Sequence, residues 1–205
     1  MATALIVLNG PIENDQTVRD LAARSDFIAA ADGGLRHLAR LKIPPDIVLG
    51  DMDSLPSPLP PLRNTVYSCD FDENRSDFQK ALDYLLSAEF DLVWVLGASG
   101  GRPDHAMVNM SIVEIYSKKI PIVLIGNGFS QVLGPGTYRF NDSRGARITL
   151  LSAASAATVS SKGLKFPLKN TRLKRGATGL GNTAVSKKVE IKVHTGYLWV
   201  FISGQ

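Results

Sequence analysis

The sequence of 205 residues contains one cysteine and three histidines, and these scarcities exclude several kinds of site. A lone cysteine, Cys69, cannot form an intramolecular disulfide, which fits a protein of a reducing compartment. One cysteine and scattered histidines give no support to a zinc site, because zinc is held mainly by these two residue types. We therefore interpret His37 and His105 as helix-surface or hydrogen-bonded residues rather than metal ligands.

Long hydrophobic runs are also missing. No apolar stretch approaches the roughly 20 residues that a membrane-spanning helix needs. The start of the chain lacks the basic region of a secretory signal, so we expect a cytoplasmic protein with no membrane partner. The first apolar run ends in Asn9-Gly10-Pro11, which is neither G-x-G-x-x-G nor a P-loop. Dehydrogenases and P-loop enzymes are therefore disfavoured.

Acidic residues are scarce in the last third of the chain. Residues 144–205 carry 11 Lys and Arg against the single acid Glu190, a balance of +10, whereas residues 1–143 carry 12 against 18, a balance of −6. A basic segment of this kind attracts nucleic acid, faces an acidic neighbour or binds an anionic ligand. It lacks interleaved aromatic residues and a helix-turn-helix or zinc pattern, so nucleic acid is not the expected partner.

Short apolar runs alternate with stretches that suit helices as far as about residue 127. Such alternation predicts βαβ units and a parallel sheet. The predicted strands cover 4–8, 27–31, 46–49, 92–96 and 120–125, and the predicted helices cover 34–42, 76–88 and 104–118.

After residue 127, Gly, Ser and Thr punctuate short runs at 147–151, 184–193 and 197–202. Val189, Ile191 and Val193 alternate with polar residues, which is the two-residue period of a half-buried strand. The second part of the chain is therefore predicted to be an antiparallel β domain.

Acidic residues on glycine-containing turns are the most informative feature that is present. Asp51 and Asp53 follow the apolar run 47–49, and the strings 30–34 and 97–105 also place acids beside paired glycines after apolar runs. A solvated turn would explain any one of these strings. Ligands of open α/β sheets gather at the carboxyl ends of strands, and Mg²⁺ is held by carboxylates together with nucleotide phosphates. The repetition predicts one shared cleft for Mg²⁺ and a nucleotide.

Two further segments combine structural and chemical interpretations. Ser76 and Gln79 fit a capping box, and Asp77 in a first helical turn would be favoured by the helix dipole and by pairing with Lys80. The glycines that precede Arg102 would let backbone N–H groups approach phosphate at a helix N-terminus, with Arg102 adding a bidentate contact. A routine strand-to-helix turn explains the same glycines.

Taken in order, these strings resemble the thiamine pyrophosphokinase family over nearly the whole chain. Any single motif is weak, but six in the right order are specific. The matching strings are Ala31-Asp32-Gly33-Gly34, Gly50-Asp51-x-Asp53-Ser54, Ser76-Asp77-Phe78-x-Lys80-Ala81-Leu82, Gly101-Arg102-x-Asp104-His105, Gly163-Leu164-Lys165-Phe166-Pro167-Leu168, and Asn182-Thr183 with Leu198-Trp199.

The resemblance implies an α/β N-terminal domain, residues 1–127, with a mostly parallel, Rossmann-like sheet that binds nucleotide and Mg²⁺. It implies a smaller antiparallel β-sandwich, residues 128–205, that binds thiamine and forms a homodimer. In the implied reaction the thiamine hydroxyl attacks the β-phosphorus of ATP, and AMP leaves. The implied site consists of metal ligands Asp51, Asp53 and Asp77; catalytic Lys80 and Asp104 beside them; nucleotide-binding Asp32, Gly33, Gly34, Gly100, Gly101 and Arg102; and acceptor-binding Glu73, Asn182 and Trp199.

Asp77 or Asp104 would orient or deprotonate the alcohol, and orientation is favoured because an ordinary carboxylate is a poor base for an alcohol. Trp199 has two interpretations. Strand periodicity favours a core or strand-face residue, whereas the family resemblance implies a ring that stacks on thiamine from the partner subunit, so that two chains share each site.

Two positions depart from the family pattern. Glu73 stands where the family commonly has Gln, and Gly181 stands where it commonly has Ser before Asn182. Both positions lie near the acceptor in the family, which leaves two alternatives open. One is a pyrophosphokinase for another hydroxyalkyl heterocycle such as a pterin, and the other is a non-catalytic nucleotide-sensing protein.

Overall fold

A computed structural model describes residues 1–59, 62, 64–176 and 179–204. The chain divides into two compact units, Met1–Gly126 and Asn127–Gln205. None of the described helices is long and apolar enough to cross a membrane.

The first unit contains six neighbouring sheet strands in the order β4-β3-β2-β1-β5-β6. Its strand pairs are all parallel, and helices connect most of them. The strands are β1 Thr3–Val7, β2 Phe27–Ala31, β3 Ile47–Gly50, β4 Val66–Cys69, β5 Leu92–Leu96 and β6 Ile122–Gly126, and the helices are α1 Asp15–Arg24, α2 Leu35–Arg40, α3 Asp77–Ser87 and α4 Pro103–Tyr116.

The central strands are continuous apolar runs because a parallel sheet with helices packed on it is buried. Every residue of β1 is buried, and Leu5 and Val7 belong to a core cluster with Val18 and Leu21 of α1. The five predicted strands of this region are confirmed to within about two residues at each end. Two elements, α1 and β4, were not predicted.

The second unit contains two antiparallel sheets, in the orders β12-β9-β14-β7 and β11-β10-β13-β8. Side chains from both sheets share one hydrophobic core, among them Leu150 and Val200 from the first and Val159 and Ile191 from the second. The strands are β7 Gly128–Leu133, β8 Gly136–Phe140, β9 Arg147–Ser152, β10 Ala156–Lys162, β11 Thr171–Lys174, β12 Asn182–Thr183, β13 Val189–Thr195 and β14 Leu198–Ser203.

The alternation predicted for β13 is confirmed, because Val189, Ile191 and Val193 are buried while the residues between them are not. The predicted run 184–193 begins too early, because β13 begins at Val189 and residues 185–188 lie in no strand. The predicted fold class is confirmed in its main features, which are a parallel α/β unit followed by antiparallel sheets. What each unit does stays a prediction.

Candidate active site

A cleft of about 900 Å³ opens in the first unit at the carboxyl edge of the parallel sheet. Its walls come from the segments that follow β1, β2, β3, β4 and β5, so five strand ends contribute to it. Of the predicted site residues, those that line the cleft are Asp32, Gly33, Asp51, Asp53, Glu73, Asp77, Lys80, Gly100, Gly101 and Arg102.

Three carboxylates converge in the cleft. Asp32, Asp51 and Asp53 each offer an oxygen atom, and these atoms lie within 4.8 Å of one another. Asp51 and Asp53 are exposed, and the Asp53 N–H donates to Asp51 Oδ1 at 3.2 Å, which fixes the turn after β3. Asp32 is only 5% exposed and has a left-handed backbone with φ of +41°. The structure thus brings together residues from two separate sequence strings.

One oxygen of Asp32, Oδ1, is buried without a hydrogen-bond partner among the described residues. A buried acceptor that lacks a partner costs free energy. Burial raises the pKa of the Asp32 carboxyl, the charges of Asp77 and Asp51 add to the rise, and hydrogen bonds from Ser54 and Gly33 to the carboxyl oppose it. An acid held in this way beside two other carboxylates suits a bound cation, which would satisfy the oxygen and neutralise the repulsion.

Asp77 begins α3 at the edge of this cluster. The predicted capping box is confirmed, since the Gln79 N–H donates to Ser76 Oγ at 3.3 Å and the Ser76 N–H donates to Gln79 Oε1 at 3.2 Å. Burial raises the pKa of Asp77, with Asp51 and Asp53 adding to the rise and Lys80 opposing it. The three acids whose oxygen atoms lie close enough together to hold one metal ion are therefore Asp32, Asp51 and Asp53. The sequence prediction named Asp77, rather than Asp32, as the third metal ligand.

Lys80 is buried, and its ammonium group binds two acceptors of the protein. Its Nζ donates to the Asp70 carbonyl at 2.7 Å and to Asp77 Oδ1 at 3.2 Å. Lys80 therefore fixes the orientation of Asp77 and the start of the segment after β4.

Glycines bring the turns after β1 and β5 into contact. The Gly10 N–H donates to the Gly97 carbonyl at 3.1 Å, and a Cβ atom at Gly97 would lie 2.5 Å from the Leu8 oxygen. Gly100 and Gly101 have φ of +85° and +64°, so their backbones form a left-handed turn directly before α4. This turn and the N-terminus of α4 form the part of the cleft most suited to an anion.

Arg102 and Asp104 pair with each other at the start of α4, through Nε and Nη2 of Arg102 and both carboxylate oxygens. The guanidinium lowers the pKa of Asp104 to about 2. Asp104 is therefore a weak base, and it is not among the described residues that line the cleft. Gly34 is also absent from that lining, because it packs against β1, where a Cβ atom would lie 1.9 Å from the Val7 oxygen.

Asn182 and Trp199 lie in the second unit. The Asn182 side chain accepts from the Phe166 N–H at 3.1 Å and donates to the Phe166 carbonyl at 2.7 Å, which joins two of the sequence strings. Trp199 is 2% exposed and stacks on Phe201 with ring centroids 5.3 Å apart. In a single chain the structure therefore favours Trp199 as an interior residue.

Several residues of the cleft were not singled out from the sequence. Asn9 packs against Gly33, where a Cβ atom would lie 2.5 Å from Asn9 Cγ. Phe71 and Arg75, in the segment after β4, also line the cleft. An exposed aromatic residue inside an acidic loop was the available signal for Phe71. The interpretation of His37 as a hydrogen-bonded residue is confirmed by its Nε2 contact with the Gly10 carbonyl at 3.0 Å.

The parallel sheet, the acidic cluster and the glycine turn at the strand ends define an α/β protein with a ligand cleft at the carboxyl edge of its sheet. The chain belongs to the thiamin pyrophosphokinase family, because the family model for the catalytic domain matches residues 18–124.

Relatives cover most of the chain. It is 28% identical to thiamine pyrophosphokinase 1 of Oryza sativa subsp. japonica, over 97% of this chain and 86% of that protein. The crystal structure of thiamine pyrophosphokinase from Bacillus subtilis superposes with a TM-score of 0.83 at 26% identity, covering 99% of each chain. Thiamin pyrophosphokinase from Candida albicans, at 15% identity, shares the fold with a TM-score of 0.84 over 100% of this chain and 89% of its own.

Proposed function

We propose that this protein transfers the pyrophosphoryl group of ATP to the hydroxyl group of thiamine, giving thiamine diphosphate and AMP. The observation that carries the proposal is the acidic cluster with its unsatisfied Asp32 oxygen, placed beside an anion-binding glycine turn in a member of this family. Family membership does not favour the pterin or nucleotide-sensing alternatives.

The acidic cluster fits Mg²⁺, a hard cation that takes carboxylate oxygens. Asp32, Asp51 and Asp53 would hold it, with Asp77 at the edge of the same group. When bound, Mg²⁺ would neutralise charge on the phosphates. The buried Asp32 oxygen supports this assignment because no described protein group satisfies it.

The glycine turn and Arg102 would receive the phosphates at the other side of the cleft. Backbone N–H groups of Gly100 and Gly101 and the positive end of the α4 dipole are suited to phosphate oxygens. Arg102 would exchange its contact with Asp104 for the more highly charged phosphate. The nucleotide thus extends from the acidic cluster towards the end of β5.

Asp77 would orient the thiamine hydroxyl. Lys80 holds its carboxylate in place at 3.2 Å, and the raised pKa makes Asp77 a better hydrogen-bond acceptor than an ordinary carboxylate. The pKa of Asp104, about 2, and its pairing with Arg102 make Asp104 the weaker candidate. We assign orientation of the alcohol, rather than full removal of its proton, to Asp77.

We also propose a homodimer in which a second chain completes the acceptor site through Asn182. Phe166 and Leu180 are 65% and 78% exposed, so this part of the second unit offers apolar surface for a partner to cover. The buried position of Trp199 gives its ring no open face in a single chain, and its stacking on thiamine stays a prediction.

Release of AMP tests the proposed function. With Mg²⁺ and ATP, we expect AMP to form in proportion to thiamine diphosphate when thiamine is supplied, and not with a panel of hydroxyalkyl pterins. Turnover of a pterin in place of thiamine would support the first alternative. Nucleotide binding without AMP release from any acceptor would support the second.

A further inference from the structure

The acidic segment Asp70–Asn74 after β4 is held in one conformation by its own turns. The Asp72 N–H donates to Asp70 Oδ1 at 3.0 Å, and the Asn74 N–H donates to Asp72 Oδ1 at 3.0 Å. These bonds form two successive Asx turns. Lys80 adds a bond to the Asp70 carbonyl at 2.7 Å. The segment is therefore ordered before any ligand binds.

Arg75 fastens this segment to the helices. Its guanidinium donates to Asp72 at 2.9 Å, to Asp70 at 2.8 Å and to Asp83 of α3 at 3.2 Å. Asp83 in turn accepts from the Tyr116 hydroxyl of α4 at 2.8 Å. Arg75 lowers the pKa of Asp72, so the pair is charged at neutral pH. One side chain thus joins two carboxylates of the segment to the body of the unit.

Phe71 lies between the two carboxylates that Arg75 holds. It is 76% exposed and lines the cleft. A single exposed apolar side chain is ordinary on a protein surface. This one has both neighbours fixed by the ion pairs of Arg75 and presents an open aromatic ring to a ligand cleft, which is the arrangement of a stacking surface.

The position of Phe71 along the cleft indicates which ring it meets. β4 is the edge strand, and β3, β2 and β1 separate it from β5. At about 4.8 Å between strands, the Phe71 end lies on the order of 19 Å from the glycine turn. Phosphates are favoured at the glycine turn and disfavoured beside Asp70, Asp72 and Glu73. The acceptor therefore occupies the Phe71 end.

We propose that Phe71 stacks on the heteroaromatic ring of the acceptor, and that Arg75 is a positioning residue that holds Phe71 in place for this contact. The inference rests on the proposed function, since the acceptor is taken to be thiamine. The nucleotide base has the same ring chemistry, and the experiment separates the two rings.

The first experiment replaces the ring. Phe71→Ala raises the KM for thiamine, and the Kd measured by calorimetry without ATP, about 3- to 10-fold, with the KM for ATP unchanged. Phe71→Tyr keeps the ring and retains thiamine affinity. A rise in the KM for ATP alone, no change in either constant, or conversion of a wild-type dimer into a monomer on sizing overturns the assignment.

Failure of the proposed function gives a different result. If the wild-type protein does not convert thiamine, the proposed function and this inference fall together. If the wild-type protein converts thiamine and Phe71→Ala does so with unchanged constants, only the inference falls.

The second experiment tests the role of Arg75. Arg75→Met raises the KM for thiamine as Phe71→Ala does, and Arg75→Lys restores part of the loss. Because Arg75 acts through Phe71, the double variant Phe71→Ala with Arg75→Met is no worse than the more impaired single variant. Independent, multiplicative effects overturn the positioning role. Arg40→Met, which breaks the exposed pair with Asp15, is the matched control and leaves the KM for thiamine unchanged.

Discussion

The substitution Asp32→Asn is expected to change the free energy of unfolding in opposite directions without and with Mg²⁺. In the metal-free protein the Asp32 carboxyl is buried, lacks a partner for Oδ1 among the described residues and lies beside two other carboxylates, which raise its pKa together with burial. An unsatisfied buried group costs about 1–3 kcal/mol. The neutral amide removes the repulsion while it keeps the size and shape of the side chain. We therefore expect the metal-free variant to be as stable as wild type, or more stable by about 1 kcal/mol.

Mg²⁺ reverses this order. A ligand that binds only the folded state at 100 times its Kd adds about 2.7 kcal/mol to the free energy of unfolding. Asp32→Asn takes away one carboxylate ligand and so loses most of this gain. The two proteins should therefore exchange ranks as Mg²⁺ is added.

Urea denaturation at pH 7, with and without saturating Mg²⁺, measures both quantities. Asp20→Asn is the matched control, because Asp20 is an exposed acid of α1 outside the cleft whose Gln16 contact an amide oxygen can also accept. Its free energy of unfolding should respond to Mg²⁺ as wild type does. Equal stabilisation of wild type and Asp32→Asn by Mg²⁺ would refute the assignment of Asp32 to the cation site.

Three further changes test other parts of the site. Ser76→Ala should lower the free energy of unfolding by about 1 kcal/mol through loss of the helix cap, measured by urea denaturation, and an unchanged value would show that the cap is dispensable. Gly181→Ser restores the common family residue at a φ of +65°, and it should lower the free energy of unfolding, measured in the same way, by about 1–2 kcal/mol. An unchanged free energy of unfolding would mean that the turn relaxes to accommodate the side chain. Arg102→Met should return the Asp104 pKa from about 2 towards its ordinary value in a carboxyl NMR titration. A carboxyl whose pKa is lowered by folding stabilises the protein at pH values above the pKa of the unfolded chain, and this stabilisation is lost as the pH falls towards 2. The free energy of unfolding of the variant should therefore decrease less between neutral and acid pH than that of wild type. An unaltered Asp104 titration would contradict the pairing.

The sequence was sufficient for the elements whose packing leaves a periodic pattern. β1 and β3 are buried on both faces, so they appear as uninterrupted apolar runs. β4 could not be found in this way, because it is an edge strand whose Val66 and Tyr67 are 58% and 42% exposed. α1 was missed because its polar residues outnumber Val18 and Leu21, the two that it buries.

The composition of the acidic cluster was only partly accessible from sequence. Asp51 and Asp53 are two residues apart and were grouped on spacing alone. The repeated strings predicted one shared cleft and placed Asp32 with the nucleotide, but a linear string does not show which acids of the cleft lie within a few ångströms of each other. Only the pairing of neighbouring parallel strands brings the turns after β2 and β3 together.

Gly50 shows why three separate strings of this sequence depend on one another. A Cβ atom at this position would lie 2.8 Å from Asp32 Cβ and 3.0 Å from Asp77 Cγ, and its φ of +147° suits glycine alone. Because Gly50 has no side chain, the turns after β2 and β3 and the start of α3 can pack closely against each other at this point. Asp32, Asp51 and Asp77 can share one cleft only because the residue between them has no Cβ. The glycine of the Gly50-Asp51-x-Asp53 string is a requirement for convergence of the acids, rather than a feature of its own turn.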